Sequence, residues 1–310
     1  MSTLTSAQVE LQGQLTALRT AMTATTAIAS ILDDSWFTAV EAQIRSNPGP
    51  GSLGVDRSGF LLSVCHPLRG VEWFEADQER LLKGQVQEID ADGRFALRLC
   101  GVDPLRTFIP LLESRLAAFE QIPFKPHAVK AKLALLKASR FDSSFKNHLF
   151  EVGVLGDLAL KGVLTDIEDA STAVDGVIDV GGREILVEAT NTVQEVIPPF
   201  TGVAFLDPNI QIDQVVKKLR KKVAEGRQLA LALGKPTILF LALTRLGADR
   251  HAATIAIQEC FRIAEFAALS GVVLSDSWRF QTTAWHEGVT PDTPLHVHER
   301  AKVSEWYQRP

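Results

Sequence analysis

Cysteine is scarce in this chain and unmatched: Cys65, Cys100 and Cys260 are odd in number, far apart and outside any zinc-ligand spacing. That excludes a disulfide framework and predicts a reducing, cytoplasmic address. Long apolar runs are missing as well. No stretch approaches the roughly 20 residues needed to cross a bilayer, and MSTLTSAQVELQGQLTALR has no basic region followed by an apolar one, so neither a membrane span nor a secretory leader is expected. Positive charge is not in excess. Lys plus Arg is 32 against 37 Asp plus Glu, a net charge of −5, so any contact with a polyanion must come from a local patch. The familiar catalytic signatures are absent too: no GxGxxG or Walker loop follows a strand, and there is no HExxH or GxSxG. His66 and His127 stand alone, and His296 with His298 lack a third ligand.

What is present is an ordinary core-forming composition, 46% hydrophobic over 310 residues, enough for two domains or one large one. Residues 4–32 carry a partial heptad stripe through Leu4, Leu11, Leu18 and Leu32, with Leu15 and Met22 in the second register. The stripe predicts a long helix. Its seam is weakened by Gln8, Thr25 and Ala29, so packing within the chain is the first reading and a homodimer through this helix the second. A loop is expected at SNPGPGSLG (46–54), a helix at 74–83, a strand at 94–100, a helix at 104–122 capped by Asp103, and a short helix after Pro126. Residues 1–140 therefore form a mostly helical N-terminal region without a catalytic constellation.

From Phe141 the pattern becomes helix, hairpin, helix, strand, helix, strand. The elements are a helix from Asp142 or Ser143 to Lys161 ended by Gly162, a short strand at 163–167, a helix at 210–233, an apolar strand at 236–243, a helix at 250–269, and two late strands. The fold class is α/β (α+β), a mixed central sheet flanked by helices over residues 141–290, with 291–310 as a C-terminal tail.

Within this region AVDGVIDVGGREILVEAT (173–190) reads as a tight hairpin. Gly181-Gly182 is a positive-φ turn between two aliphatic runs. If Val180 faces Arg183, every cross-strand pair sums to 363 and Asp175 pairs with Glu188, Cβ atoms roughly 4.5–5.5 Å apart. Ile178, Val180, Ile185 and Val187 then share an apolar face, and the acids take the other with Val177 and Leu186. Asp179 and Glu184 pair at the turn, about 13 Å away at roughly 3.3 Å per residue, and read as a solvated rim. Two carboxylates so placed, with oxygen donors only, suit a hard divalent cation such as Mg2+ or Mn2+.

Helix-borne Glu151, hairpin Asp175, and Glu188-Ala189-Thr190 on the next strand, followed by a crossover helix and an apolar strand, resemble the PD-(D/E)XK nuclease superfamily. The resemblance spans about residues 141–285 and implies a restriction-endonuclease-like fold. It further implies a metal held by Asp175 and Glu188 with Glu151 assisting, and a metal-dependent phosphodiesterase acting on nucleic acid, DNA in the first instance. Thr190 occupies the place of the signature lysine, and a hydroxyl supplies no positive charge. The helix sequence VVKKLRKKVAEGRQ sets Lys218 and Lys222 four residues apart on one flank with Gln211, so either is a candidate migrated lysine. The same lysines and arginines also fit a solvated helix face. The alternative function is a catalytically degenerate nuclease-fold module that binds nucleic acid or a protein partner.

Overall fold

The structure, a computed structural model, describes residues 26–33, 35–36, 39, 102–138, 143–167, 174–191, 213, 215–223, 234–243, 250–276, 279–286 and 290–307. The expected heptad helix before residue 26, the 46–54 loop, the 74–83 helix, the 94–100 strand, Cys65, Cys100, His66 and Gln211 lie outside the described residues. Two compact units divide the chain, 1–116 and 117–310.

In the first unit, helix α1 (Thr26–Ile31) buries Ala27, Ile28 and Ile31. Its first N–H groups, with no partner inside the helix, are taken by the carboxylate of Glu113, which accepts from Ala27 N at 2.6 Å and Ile28 N at 2.9 Å. Glu113 rides on α2 (Val102–Glu120), which starts at Val102 and so places Asp103 inside the helix rather than at its cap.

The second unit holds a six-stranded sheet in sequence order, β1 (Leu164–Ile167), β2 (Gly176–Asp179), β3 (Glu184–Asn191), β4 (Thr237–Leu243), β5 (Gly271–Asp276) and β6 (Arg279–Trp285). The first three strands and the last pair run antiparallel, while β3–β4 and β4–β5 are parallel. A parallel neighbour requires a crossover, and the helical residues 215–223 (α5) and α6 (Arg250–Cys260) stand where those crossovers fall in the chain. The mixed α/β architecture anticipated from the alternation of elements is what the chain adopts. Ahead of the sheet come α3 (Pro126–Ala138) and α4 (Ser143–Leu160), and after it α7 (Val297–Tyr307).

Local chemistry sets these boundaries. Gly162, at φ +67°, ends α4 in a left-handed cap: Gly162 N donates to Ala159 O and Val163 N to Leu158 O, the paired bonds of a Schellman motif. Gly181 and Gly182 have φ +69° and +88°, the two positive values a primed hairpin turn requires, and Val180 N donates to Arg183 O at 3.0 Å. The register follows the 363 sum from Asp179–Glu184 to Gly176–Val187. The expected 250–269 helix is shorter, closing at Cys260 and giving way to a 3-10 turn at Ala264–Phe266.

Residues directly opposite across a sheet share a face. Leu186, Glu188 and Thr190 therefore lie with Leu239, Leu241, Val272 and Leu274, against Val215, Leu219 and Val223 of α5 and Ala253, Ala256 and Ile257 of α6. The other face carries Ile185, Val187, Phe240 and Val273. There α4 sets Leu155 so close to Gly176 that a Cβ on Gly176 would meet Leu155 Cδ2 at 2.7 Å, and the Tyr307 ring of α7 meets Phe240 edge-on at 5.7 Å. Apolar residues on both faces explain the unbroken run of β4, where Ile238 to Leu241 are fully buried. α7 is fastened at both ends. Glu299, 1% exposed, accepts from His296 N at 2.7 Å and pairs with Arg183 of the hairpin turn at 3.1 Å, while Tyr307 donates to Asp157 at 3.1 Å. The outermost described strand, β1, is bulged between Leu164 and Asp166, and Lys125 donates to Ile167 O at 3.0 Å and to Asp166 Oδ2 at 2.9 Å.

Candidate carboxylate–lysine centre

The candidate site lies at the mouth of the β2–β3 hairpin, opposite its Gly-Gly turn. Asp175 is the residue just before β2, where the backbone leaves the ladder: Asp175 N donates to Val187 O at 3.1 Å rather than continuing the 363 register. Its side chain fills the gap. Asp175 Oδ2 accepts from Ala189 N at 2.7 Å, so the carboxylate stands where that register would put a backbone carbonyl. Asp175 is thus tied to β3 beside Glu188, though through the Ala189 amide rather than by a regular strand pair.

Glu188 belongs to the α5 face and is only 5% exposed, which removes it from the class of solvated hairpin acids. Its Oε2 lies 2.8 Å from Lys222 Nζ of α5. Thr190, two residues on, shares that face and is also buried. Lys218 is half-buried one turn before Lys222. Of the two candidate migrated lysines, Lys222 has its ammonium on Glu188.

Glu151 arrives from the other face. It sits one turn before Leu155 on α4, and the close approach of Leu155 to Gly176 carries that flank to the hairpin mouth. Its carboxylate is ion-paired with Lys132 of α3, with side-chain exposures of 11% for the lysine and 17% for the acid, and His148 Nδ1 stands 3.9 Å from its second oxygen. Asn147, one turn before Glu151, has a buried Oδ1 without a hydrogen-bond partner.

Three carboxyls therefore interact. Burial pushes the Asp175 carboxyl well above the ordinary aspartate range, and the charges of Glu151 and Glu188 push it further, against the opposing Ala189 N–H and Lys132. Glu151 moves the other way. Burial disfavours its charge, but the contacts from His148 and Lys132 outweigh that and hold it below the usual glutamate value. With every group ionised the centre carries three negative and two positive charges, a net of −1, which one proton on Asp175 cancels.

The three carboxylates offer oxygen donors only, the type of ligand a hard divalent cation takes. The carboxylates are nonetheless held by lysines and an amide. Among the described residues no three His, Cys, Asp or Glu side chains are grouped to hold an ion as they stand. Spacing offered Lys218 and Lys222 together without choosing between them; Lys132 was not singled out, because KAKLALLK reads only as part of a short helix before the hairpin region. No helix among the described residues is long and apolar enough to cross a membrane. No family model matches the chain, and neither a curated protein nor a solved structure matches it.

Proposed function

We propose that the protein is a metal-dependent phosphodiesterase acting on nucleic acid, DNA in the first instance, built as a divergent PD-(D/E)XK nuclease. The observation that carries this reading is the Lys222 ammonium 2.8 Å from Glu188, in a centre that also couples Asp175 and Glu151. It restores, from α5, the point charge that Thr190 lacks. The order of α4, the β1–β3 meander, α5 and parallel β4 agrees with the resemblance.

Asp175 and Glu188, with Glu151 alongside, would hold Mg2+ or Mn2+, which supplies a Lewis acid and an acidified water. Lys222 offers charge to a phosphate oxygen as negative charge grows there. The exposed Lys217 and Lys221 of the same helix extend positive charge toward solvent, suited to a phosphate backbone. Purified protein with Mg2+ or Mn2+ and plasmid or single-stranded DNA tests this. Cleavage should fall roughly 10²-fold in Lys222→Met. Cleavage unchanged in a combined Asp175→Ala, Glu188→Ala variant would sink the reading.

A second reading, a catalytically silent module that binds nucleic acid or a protein, is favoured by one observation: each acid already has a cation or an N–H in the structure. Under it, Mg2+ and Mn2+ leave both the calorimetric baseline and the melting temperature unmoved.

A further inference from the structure

His286 has no part in the proposed chemistry, and it is enclosed in the core. It follows directly on β6, is 6% exposed, and stacks its ring on Phe261 with centroids 3.9 Å apart and planes 18° from parallel. Both ring nitrogens face backbone carbonyls of the connection from α6 to β5: Nε2 lies 2.6 Å from Leu269 O and Nδ1 3.2 Å from Phe261 O. A neutral imidazole carries one N–H and can serve only one of two acceptors, whereas the imidazolium serves both. The segment so held buries Phe261, Phe266 and Leu269 in the core.

We propose that His286 is a proton-operated latch on residues 261–269: neutral, it ties them to the end of β6, and on taking a proton from solvent at Nδ1 it lets them go. In the neutral ring the single N–H goes to Leu269 O, the nearer carbonyl, and the Nδ1 lone pair faces Phe261 O. A proton at Nδ1 would complete the second hydrogen bond but would place a charge among buried aromatic side chains. Burial outweighs the carbonyls and holds the ring below the ordinary histidine value. The surrounding charges do not reverse this. Arg300, on the helix α7 that packs against β6, further disfavours a cation. Arg262 and Glu265 of the connection are exposed and paired with Glu259 and Arg220, Asp292 is exposed, and the buried Cys260 thiol is pushed up to about 11 and stays neutral. A charged ring is therefore better placed in water, which it reaches only by breaking both carbonyl contacts and the Phe261 stack. The open state takes its proton at the ordinary value of about 6.5 and the closed state only lower, so closure is fully supported above about 6.5 and loses support as pH falls toward the folded value. The latch operates whatever the centre at Glu188 does.

The test is hydrogen-deuterium exchange of the full chain, read by mass spectrometry on peptides covering 261–271 and, as an internal control, on β4, with rates corrected for the intrinsic pH dependence of amide exchange. In wild type, opening of 261–271 should rise several-fold, to at most about tenfold, between about pH 7.5 and 5.5, while β4 stays level. His286→Gln, which can donate to a carbonyl but takes no proton, and His286→Phe, which keeps the stack, should each show opening that does not change with pH. A merely structural histidine would leave both variants more open and wild type as flat as they are. A flat wild type, or a rise of the same size in either variant, overturns the inference. Exchange of the imidazole C2 hydrogen in the same wild-type samples gives the His286 pKa directly, and this arm stands if neither variant folds: a value below about 6.5 is expected, and one at or above it overturns the latch.

Discussion

Asp175 and Glu151 are neighbouring acids shifted in opposite directions, and their substitutions should show it. Asp175 is raised in the fold, so the native state binds its proton more tightly than the unfolded chain does. Stability then declines as pH rises from about 3.9 toward the elevated folded value, and the penalty is complete above it. Asparagine removes the charge and can still accept from Ala189 N. Asp175→Asn should therefore melt above wild type at pH 7 to 8, with the difference closing toward pH 4. Glu151 is depressed, so its contribution is present above the unfolded glutamate pKa and is lost as pH falls through the folded one. Glu151→Gln should melt below wild type at neutral pH and converge with it in acid. Melting temperature against pH for the two variants checks both signs. A stabilising Asp175→Asn would mark a carboxylate kept at the expense of stability, the usual sign of a working group. At this scale the sequence was informative about pairing and silent about enclosure. The turn and the alternation gave a register that holds from Asp179–Glu184 to Gly176–Val187 and stops one pair short of Asp175 and Glu188. Nothing in them showed that Glu188 is covered by α5, or that Asp175 replaces a backbone acceptor.

Elements meet at two glycines. At Gly176 the obstacle to a methyl group is Leu155 Cδ2 at 2.7 Å, a side-chain end with Asp166 O behind at 3.3 Å. Gly271 faces the Trp285 ring, with atoms at 2.3 and 2.4 Å from an added Cβ. A leucine tip can rotate and an indole cannot bend. Gly176→Ala should cost about 1–2 kcal/mol in urea denaturation and Gly271→Ala about 3 kcal/mol or more, the spread expected of overpacking. Element boundaries were legible where backbone chemistry forces them, at Gly162 and at Gly181-Gly182. They were less so at the 250–269 segment, where Phe261, Phe266 and Leu269 continue the apolar content of α6 after its helix has ended. Periodicity records which side chains are buried, and a buried turn satisfies it as well as a buried helix does.

Across the molecule, every described strand and every acid and lysine of the centre belongs to the 117–310 unit. A fragment of those residues should unfold in one cooperative transition, measured by thermal melting. The sequence alone placed the start of the core near Phe141. That excluded α3 and with it Lys132, because a short amphipathic helix shows its polar side without showing what lies opposite it. The C-terminal residues, which offered only a histidine pair, hold α7, whose Glu299 and Tyr307 join the hairpin turn to α4.

The bulged edge at β1 bears on solubility. An outer strand with free amides and carbonyls recruits strands from other molecules. Here the strand is four residues long, is kinked between Leu164 and Asp166, and has its Ile167 carbonyl occupied by Lys125. Lys125 adds little to stability, being a partly exposed charge on Asp166. Its removal should instead register as clumping: Lys125→Ala should melt within about 1 kcal/mol of wild type yet scatter light at lower temperature on heating, as unguarded edges begin to find one another.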